Sequence, residues 1–297
     1  MHQYQPFILI NNMFKKIIRN IDYIKLVLRK KDKISRLFNS KNYIFTKYSH
    51  PGHFYSPIPD LKYVINNQKT LFNNATNTLD DLNINEESQV ELLNLFHNYY
   101  DNIPFLKDES KSYRYYFDNS YFSYGDGVIL YSMLLHFKPK RIIEIGSGFS
   151  SAEMLDIDDI FFQDKIDFTF IEPNPERLLK LISTEDVDNV NIFAKPVQEI
   201  NLNEFSLLDE NDILFIDSSH ISKIGSDVNF VLFNILPLLK KGVLIHFHDI
   251  IWPFEYPKKW VARGRAYNES YLLRAFLQNN DKYKILFFNS FMVHKYL

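Results

Sequence analysis

Five short apolar runs dominate the chain from about residue 121 onward: "RIIEI" (141–145), "FTFIE" (168–172), "VNIFA" (190–194), "ILFID" (213–217) and "VLIHF" (243–247). Each is bounded by polar or turn-forming residues, and the segments between them are long enough for crossover helices. Strands that are apolar almost throughout must be covered on both faces. Alternation with helical segments therefore predicts a parallel, doubly wound α/β sheet. Asp126 is placed to cap a helix carrying Val128, Ile129, Tyr131, Met133, Leu134 and Leu135, which Pro139 ends. Asn174 and Pro175 open another. The last runs, "YKILFFN" and "FMVHKY", are separated by a short Ser-containing turn, which predicts an antiparallel hairpin at one sheet edge.

The first part of the chain has a different texture. Residues 1–48 hold eleven Lys and Arg against Asp22 and Asp32, a charge near +9, and leave the remainder near −11 for a total of −2. An acidic body argues against nucleic acid as the principal partner. Phe14, Ile17, Ile18, Ile21, Ile24 and Leu28 form one helical stripe, with most of the basic residues off it. Such a helix either rests on an anionic membrane surface or docks on its own protein or on a second copy in a homodimer; docking is the preferred reading. A Pro-rich loop, "HPGHFYSPIPD" (50–60), follows, then a helix over about 86–99 with Val90, Leu93 and Phe96 on one side. The division expected is a helical and irregular lobe over 1–115 and an α/β domain over 116–297. No Cys is present, which excludes disulfides and thiolate chemistry. No run reaches the roughly 20 apolar residues of a membrane span, so a cytoplasmic location is expected.

Ligands of open α/β sheets sit beyond the carboxyl ends of the strands. The first strand leads into "EIGSGFSS" (144–151), where Gly146 and Gly148 permit a tight turn and close approach of a ligand to backbone. Ser151 stands where a dinucleotide fingerprint has its third glycine. Glu144, inside the strand, disfavours an anionic pyrophosphate and favours a cationic ligand. Glu172 ends the second run, in the position from which an acid accepts hydrogen bonds from ribose hydroxyls. Gln198 follows the third and is placed near an adenine edge.

Together, "EIGSGFSS", Glu172, "DILFIDSSH" and "LKKGVLIHFHDI" resemble the class I S-adenosylmethionine-dependent methyltransferases. The resemblance covers roughly residues 120–297. Within that superfamily the chain is most similar to a little-characterised bacterial group carrying "GHFYSPIPD" early and "HDI…PFEYPKKW…GRAYNESYLLRAFL" after the fifth strand. The resemblance implies a Rossmann-like domain with a reversed last strand and S-adenosyl-L-methionine as cofactor. It also implies that Gly146, Ser147 and Gly148 receive the methionine portion, Glu172 the ribose and Gln198 the adenine, with Glu144 and Asp217 beside them.

Methyl transfer to a hydroxyl needs a base or a metal to manage the proton. The fourth strand delivers Asp217, Ser218, Ser219 and His220, and the fifth delivers His246, His248 and Asp249. Three readings stand: His220 or His248 is a base beside Asp217; a divalent metal sits on Asp217, His248 and Asp249; or the histidines are satisfied strand-end residues. Trp252, Tyr256 and Trp260 are expected to wall an acceptor site, with Arg263 and Arg265 for an anionic group, and Tyr121 and Tyr124 to close the cofactor site. The function expected is O-methylation of a small-molecule or glycan hydroxyl. The alternatives are a catalytically silent scaffold of the same fold and an NAD-dependent oxidoreductase, the latter disfavoured by Glu144 and the missing third glycine.

Overall fold

A computed structural model describes residues 47–72, 78–163 and 165–296. The chain divides into two compact units, Met1–Asn67 and Gln68–Leu297. The basic amphipathic stripe of residues 14–28 lies outside the described residues. Within the first unit the Pro-rich loop leads into a short helix, Leu61–Asn66, whose N-cap Asp60 accepts the N–H of Lys62 at 2.8 Å.

The second unit holds a five-stranded sheet of β1 (Arg141–Ile145), β2 (Asp167–Ile171), β3 (Asn191–Phe193), β4 (Ile213–Ile216) and β5 (Leu244–Phe247). Their order is β3-β2-β1-β4-β5, and every pairing is parallel. The five apolar runs are thus the five strands. Strand alternation divides them between two cores. Ile142, Phe168, Phe170, Ile213 and Phe215 pack on one face, and Ile143, Ile145, Ile171, Leu214 and Ile216 on the other. The chain leaves β1 in one direction toward β2 and β3 and returns beside it as β4. The β1/β4 boundary is therefore the switch point at which such sheets open a crevice.

Five helices of eight or more residues are found among the described residues: α1 (Glu86–Phe96), α2 (Tyr124–Phe137), α3 (Phe149–Ile157), α4 (Glu269–Leu277) and α5 (Asn289–Tyr296). Helix α2 buries Leu130, Tyr131 and Leu134 in the first core, as its spacing predicts. Its N-cap is Ser123 rather than Asp126, which falls in the first turn with its carboxylate free for other partners. The crossover after β2 starts its helix at Leu178, so Asn174 is not its cap. The expected lobe does not end at residue 115. Gln89 of α1 donates to Ile84 O and accepts the N–H of Phe288, while Glu86 pairs with Lys295 and Tyr296. Val90 and Leu93 pack with Trp252, Phe288, Phe291 and Met292. Residues 86–122 are accordingly part of the same packed unit as the sheet.

The antiparallel terminal hairpin is not formed. Residues 283–288 carry no strand, and "FMVHKY" lies in α5. Phe288, Phe291 and Met292 are buried together at i, i+3 and i+4. That helical spacing, satisfied against α1 and Trp252, outweighs the local apolar run.

Candidate active site

The sheet ladder runs one residue beyond each central strand. Gly146 N–H donates to Ile171 O (2.9 Å), Glu172 N–H to Phe193 O (3.1 Å), Asp217 N–H to Ile145 O (2.8 Å) and His248 N–H to Ile216 O (2.8 Å). Gly146, Glu172, Asp217 and His248 thus stand in one row along the carboxyl edge, held in register by backbone. Four of the residues singled out from sequence are brought together by this single fact.

At the β1/β4 crevice the backbones nearly touch. A Cβ on Gly146 would lie 1.9 Å from the carbonyl oxygen of Asp217, and Gly146 has φ +88°. Any larger residue would both strain the turn and push β4 away. Beyond it, Gly148 N–H donates to Ser151 Oγ (2.9 Å), tying the loop to the first turn of α3. Ser151 and Ser150 in turn donate to Glu144. Glu144 is fully buried, and burial raises its carboxyl to about 8, with Asp217 adding to the rise and the two hydroxyls opposing it. It therefore shapes the loop from beneath rather than lining it for a cationic ligand, which corrects its expected role. Glu172 faces the loop, accepting the N–H of Ser147 (3.3 Å) and of Asn174 (2.8 Å). Gln198 lies in the short helical turn after β3, and its Nε2 donates to Gly225 O at 2.8 Å.

The second half of the site is a knot of charge around His220. Its Nδ1 lies 2.8 Å from Glu269 Oε2, and its Nε2 lies 3.3 Å from Asp217 Oδ1 and 3.8 Å from Asp249 Oδ2. Burial opposes charging the ring, but the hydrogen bonds it donates to Asp217 and Glu269 win and push it up to about 10. Asp217 responds in kind: burial would raise its carboxyl, yet His220 and the neighbouring histidines hold it below its ordinary value. Glu269, in the first turn of α4, is 1 % exposed. Ser218 Oγ donates to its other oxygen at 3.0 Å, and the N–H groups of Asn268 and Glu269 donate to His220 O. This clamp makes His220 a fixed imidazolium with both nitrogens engaged, so it has no lone pair with which to act as the expected base.

The two other histidines part company. His246 is sealed, its ring stacked on Phe215 at 4.0 Å, and burial first, then His248, lowers it to about 3. It is a neutral core group. His248 follows it on the same face, with rings 5.9 Å apart, at the strand exit. Its Nε2 lies 3.6 Å from Asp249 Oδ1, too far for a hydrogen bond. Asp126 of α2 senses the same knot: burial raises its carboxyl, as do Asp249 and Asp217, while His248 lowers it. Among the described residues no three ligand side chains converge to hold a metal ion. Asp217, His248 and Asp249 do not form such a set.

The aromatic wall is only partly where it was expected. Trp252 and Tyr256 are buried, the former against Phe288 and Phe291, the latter accepting the N–H of Ser270 at its hydroxyl (2.9 Å). Trp260 is half-buried and is joined by Tyr267, whose ring is 4.9 Å from that of His220. Arg265 lies over both, 4.6 Å from Trp260 and 5.5 Å from Tyr267. Arg263 is exposed, and Tyr124 stacks on Phe117 at 5.0 Å. Tyr121 stacks on Phe149, the first residue of α3, at 5.9 Å.

Residues 143–250 match the family model of a methyltransferase domain. The chain belongs to the class I S-adenosylmethionine-dependent methyltransferases. The matched segment runs from within β1 through β5 to the residue after Asp249, and so contains the whole edge row and His220. This methyltransferase is 35% identical over 166 residues to an uncharacterized protein of Archaeoglobus fulgidus, covering 55% of its own chain and 75% of that protein. Two solved structures are also similar to it. One, "cmcI-N160 SAH", is 16% identical, with 51% of this chain and 79% of that chain covered, at a TM-score of 0.33. The other, "cmcI-D160 Mg-SAM", is 19% identical, with 60% and 73% covered, at a TM-score of 0.35.

The loop fits the methionine end of the cofactor of this family. Ser147 is buried in this loop, and the first-turn N–H groups of α3 have no partner within the helix. Glu269 is the functional residue that sequence reading missed, although it stands in the quoted "GRAYNES". An isolated Glu opening a helix reads as a dipole partner until the fold brings His220 to it.

Proposed function

We propose that this methyltransferase transfers a methyl group to a hydroxyl oxygen of a small-molecule or glycan acceptor, with His248 taking the proton. The observation that carries the reading is the edge row: the glycine loop, Asp217 and His248 share one carboxyl edge, with His220 held against Asp217 beside them. When bound, S-adenosylmethionine supplies an electrophilic methyl on a positively charged sulfur. Glu172 holds the ribose hydroxyls, Gln198 meets the adenine, and Gly146 to Gly148 leave room for the methionine portion. Asp217, kept ionised by His220, faces the region where the positive charge sits. As the acceptor oxygen gains its bond to the methyl carbon, the carbon–sulfur bond breaks and its electron pair stays on sulfur, S-adenosylhomocysteine being the leaving group; the acceptor's proton passes to His248, whose imidazolium Asp249 stabilises. Trp260 and Tyr267 form the wall beside the acceptor, with Arg265 at its open side.

The test is titration calorimetry with S-adenosylhomocysteine, followed by transfer of isotope-labelled methyl to a panel of hydroxylated acceptors. His248→Ala is expected to lower turnover by about 10²- to 10⁴-fold with cofactor affinity unchanged. Full turnover in that variant would remove His248 from the mechanism, and tight NADH binding in place of S-adenosylhomocysteine would overturn the reading itself.

A further inference from the structure

Arg177 has no role in the fold comparable to that of the other buried or bridging arginines. It lies in the turn after β2, is exposed, and pairs with no carboxylate among the described residues. Yet its side chain is not free in solvent. Its Cδ lies 3.2 Å, and its Nη1 3.8 Å, from where a Cβ on Gly148 would be. Its guanidinium carbon sits 3.8 Å from the centroid of the Tyr121 ring, which itself lies flat against Phe149. A planar cation is thus held by the Tyr121 ring, itself backed by Phe149, against the second glycine of the loop, at the N-terminal end of α3. Ser147, 5 % exposed, belongs to the same loop.

These groups share one chemistry. A guanidinium and the positive end of a nine-residue helix favour an anion with two or more oxygens. Resting on the proposed use of S-adenosylmethionine, we infer that Arg177 binds the carboxylate of the cofactor's amino-acid end, with Tyr121 as the positioning residue that holds the guanidinium plane. A methyl group on Gly148 would press on the Arg177 stem, 3.2 Å away.

The experiment uses the full chain and two ligands, S-adenosylhomocysteine and 5′-methylthioadenosine, which keeps the adenosine and thioether but lacks the amino-acid end. The unsubstituted protein is expected to bind both. Arg177→Gln should weaken S-adenosylhomocysteine by about 10- to 100-fold, the range of a charge-assisted pair, and leave 5′-methylthioadenosine within about twofold. Arg177→Lys should fall between, because a point charge replaces a fork. Tyr121→Ala should cost several-fold on S-adenosylhomocysteine alone. Equal weakening of both ligands would overturn the inference and make Arg177 a lid. Unchanged affinity for both would overturn it outright, as would a loss confined to an anionic acceptor. Failure of the unsubstituted protein to bind either ligand would instead be the failure of the cofactor reading, and this inference would fall with it.

Discussion

His220 is where residue chemistry departs most from its ordinary behaviour. A free imidazole loses its charge near neutrality, but this one lies between Glu269 at 2.8 Å and Asp217 at 3.3 Å. The clamp has a direct consequence for Glu269→Gln. The amide keeps an oxygen for Nδ1–H and removes the charge, so the ring should titrate well below its present value of about 10. Nitrogen-detected NMR of the imidazole would show His220 protonated through pH 8 in the native chain and titrating within the neutral range in the variant. Loss of a charged partner should also cost about 1 to 3 kcal/mol of stability at neutral pH. An unchanged titration would assign the charge on His220 to Asp217 alone. His248 is 8 % exposed and has no carboxylate within hydrogen-bond distance of its Nε2.

At the scale of elements, the site is held by struts remote from it. Arg114 ties three segments together through Asp156 (2.8 Å) and Asp159 (2.6 Å) at the end of α3, and Asp186 in the helix Thr184–Asn189. Asp156 is nearly fully buried and also accepts the N–H of Tyr115 at 2.8 Å. The strut therefore fixes the far end of the helix whose near end forms the glycine loop. Arg114→Ala would leave Asp156 and Asp186 without their cation. Because breaking a buried pair strands the remaining charge, the expected loss is about 2 to 4 kcal/mol, reduced from the fully buried case by the partial exposure of Arg114. Urea unfolding would measure it, and Arg114→Lys should recover only part, since one ammonium cannot fork between three carboxylates. The strands themselves were legible from their runs because a buried parallel strand is apolar throughout, whatever its neighbours. Helix α5 was not, because the choice between hairpin and helix for "FMVHKY" is made by α1 and Trp252, far away in sequence.

Across the whole molecule, buried carboxyls set the response to pH. Glu144 is raised from 4.5 to about 8 by burial, and its contribution to stability, full below about 4.5, is lost as pH rises through about 8. Glu153, fully buried with neither oxygen paired, is raised in the same sense, again by burial first. The pairing of His220 is raised from 6.5 to about 10, so its contribution is lost as pH climbs through that value. All three point the same way, and the urea midpoint should fall from pH 6 to pH 10. Glu144→Gln should flatten the part between pH 6 and pH 8 and leave the fall near pH 10 in place. Asp81, lowered to about 2 chiefly by its hydrogen bond from Arg274, acts oppositely and loses its contribution only in strong acid.

The boundary between what was readable and what was not follows the range of the forces involved. The five parallel strands, the glycine turn after β1 and the presence of Asp217, His220, His248 and Asp249 near strand exits are local consequences of residue type and period. They required no knowledge of neighbours. How each histidine is paired and how deeply it is buried were decided only by tertiary structure. Glu269 reaches His220 across 49 residues, Asp126 reaches the knot from another helix, and Arg177 meets Tyr121 over the glycine loop. Protonation and pairing depend on distance and burial, and neither is encoded by any segment alone.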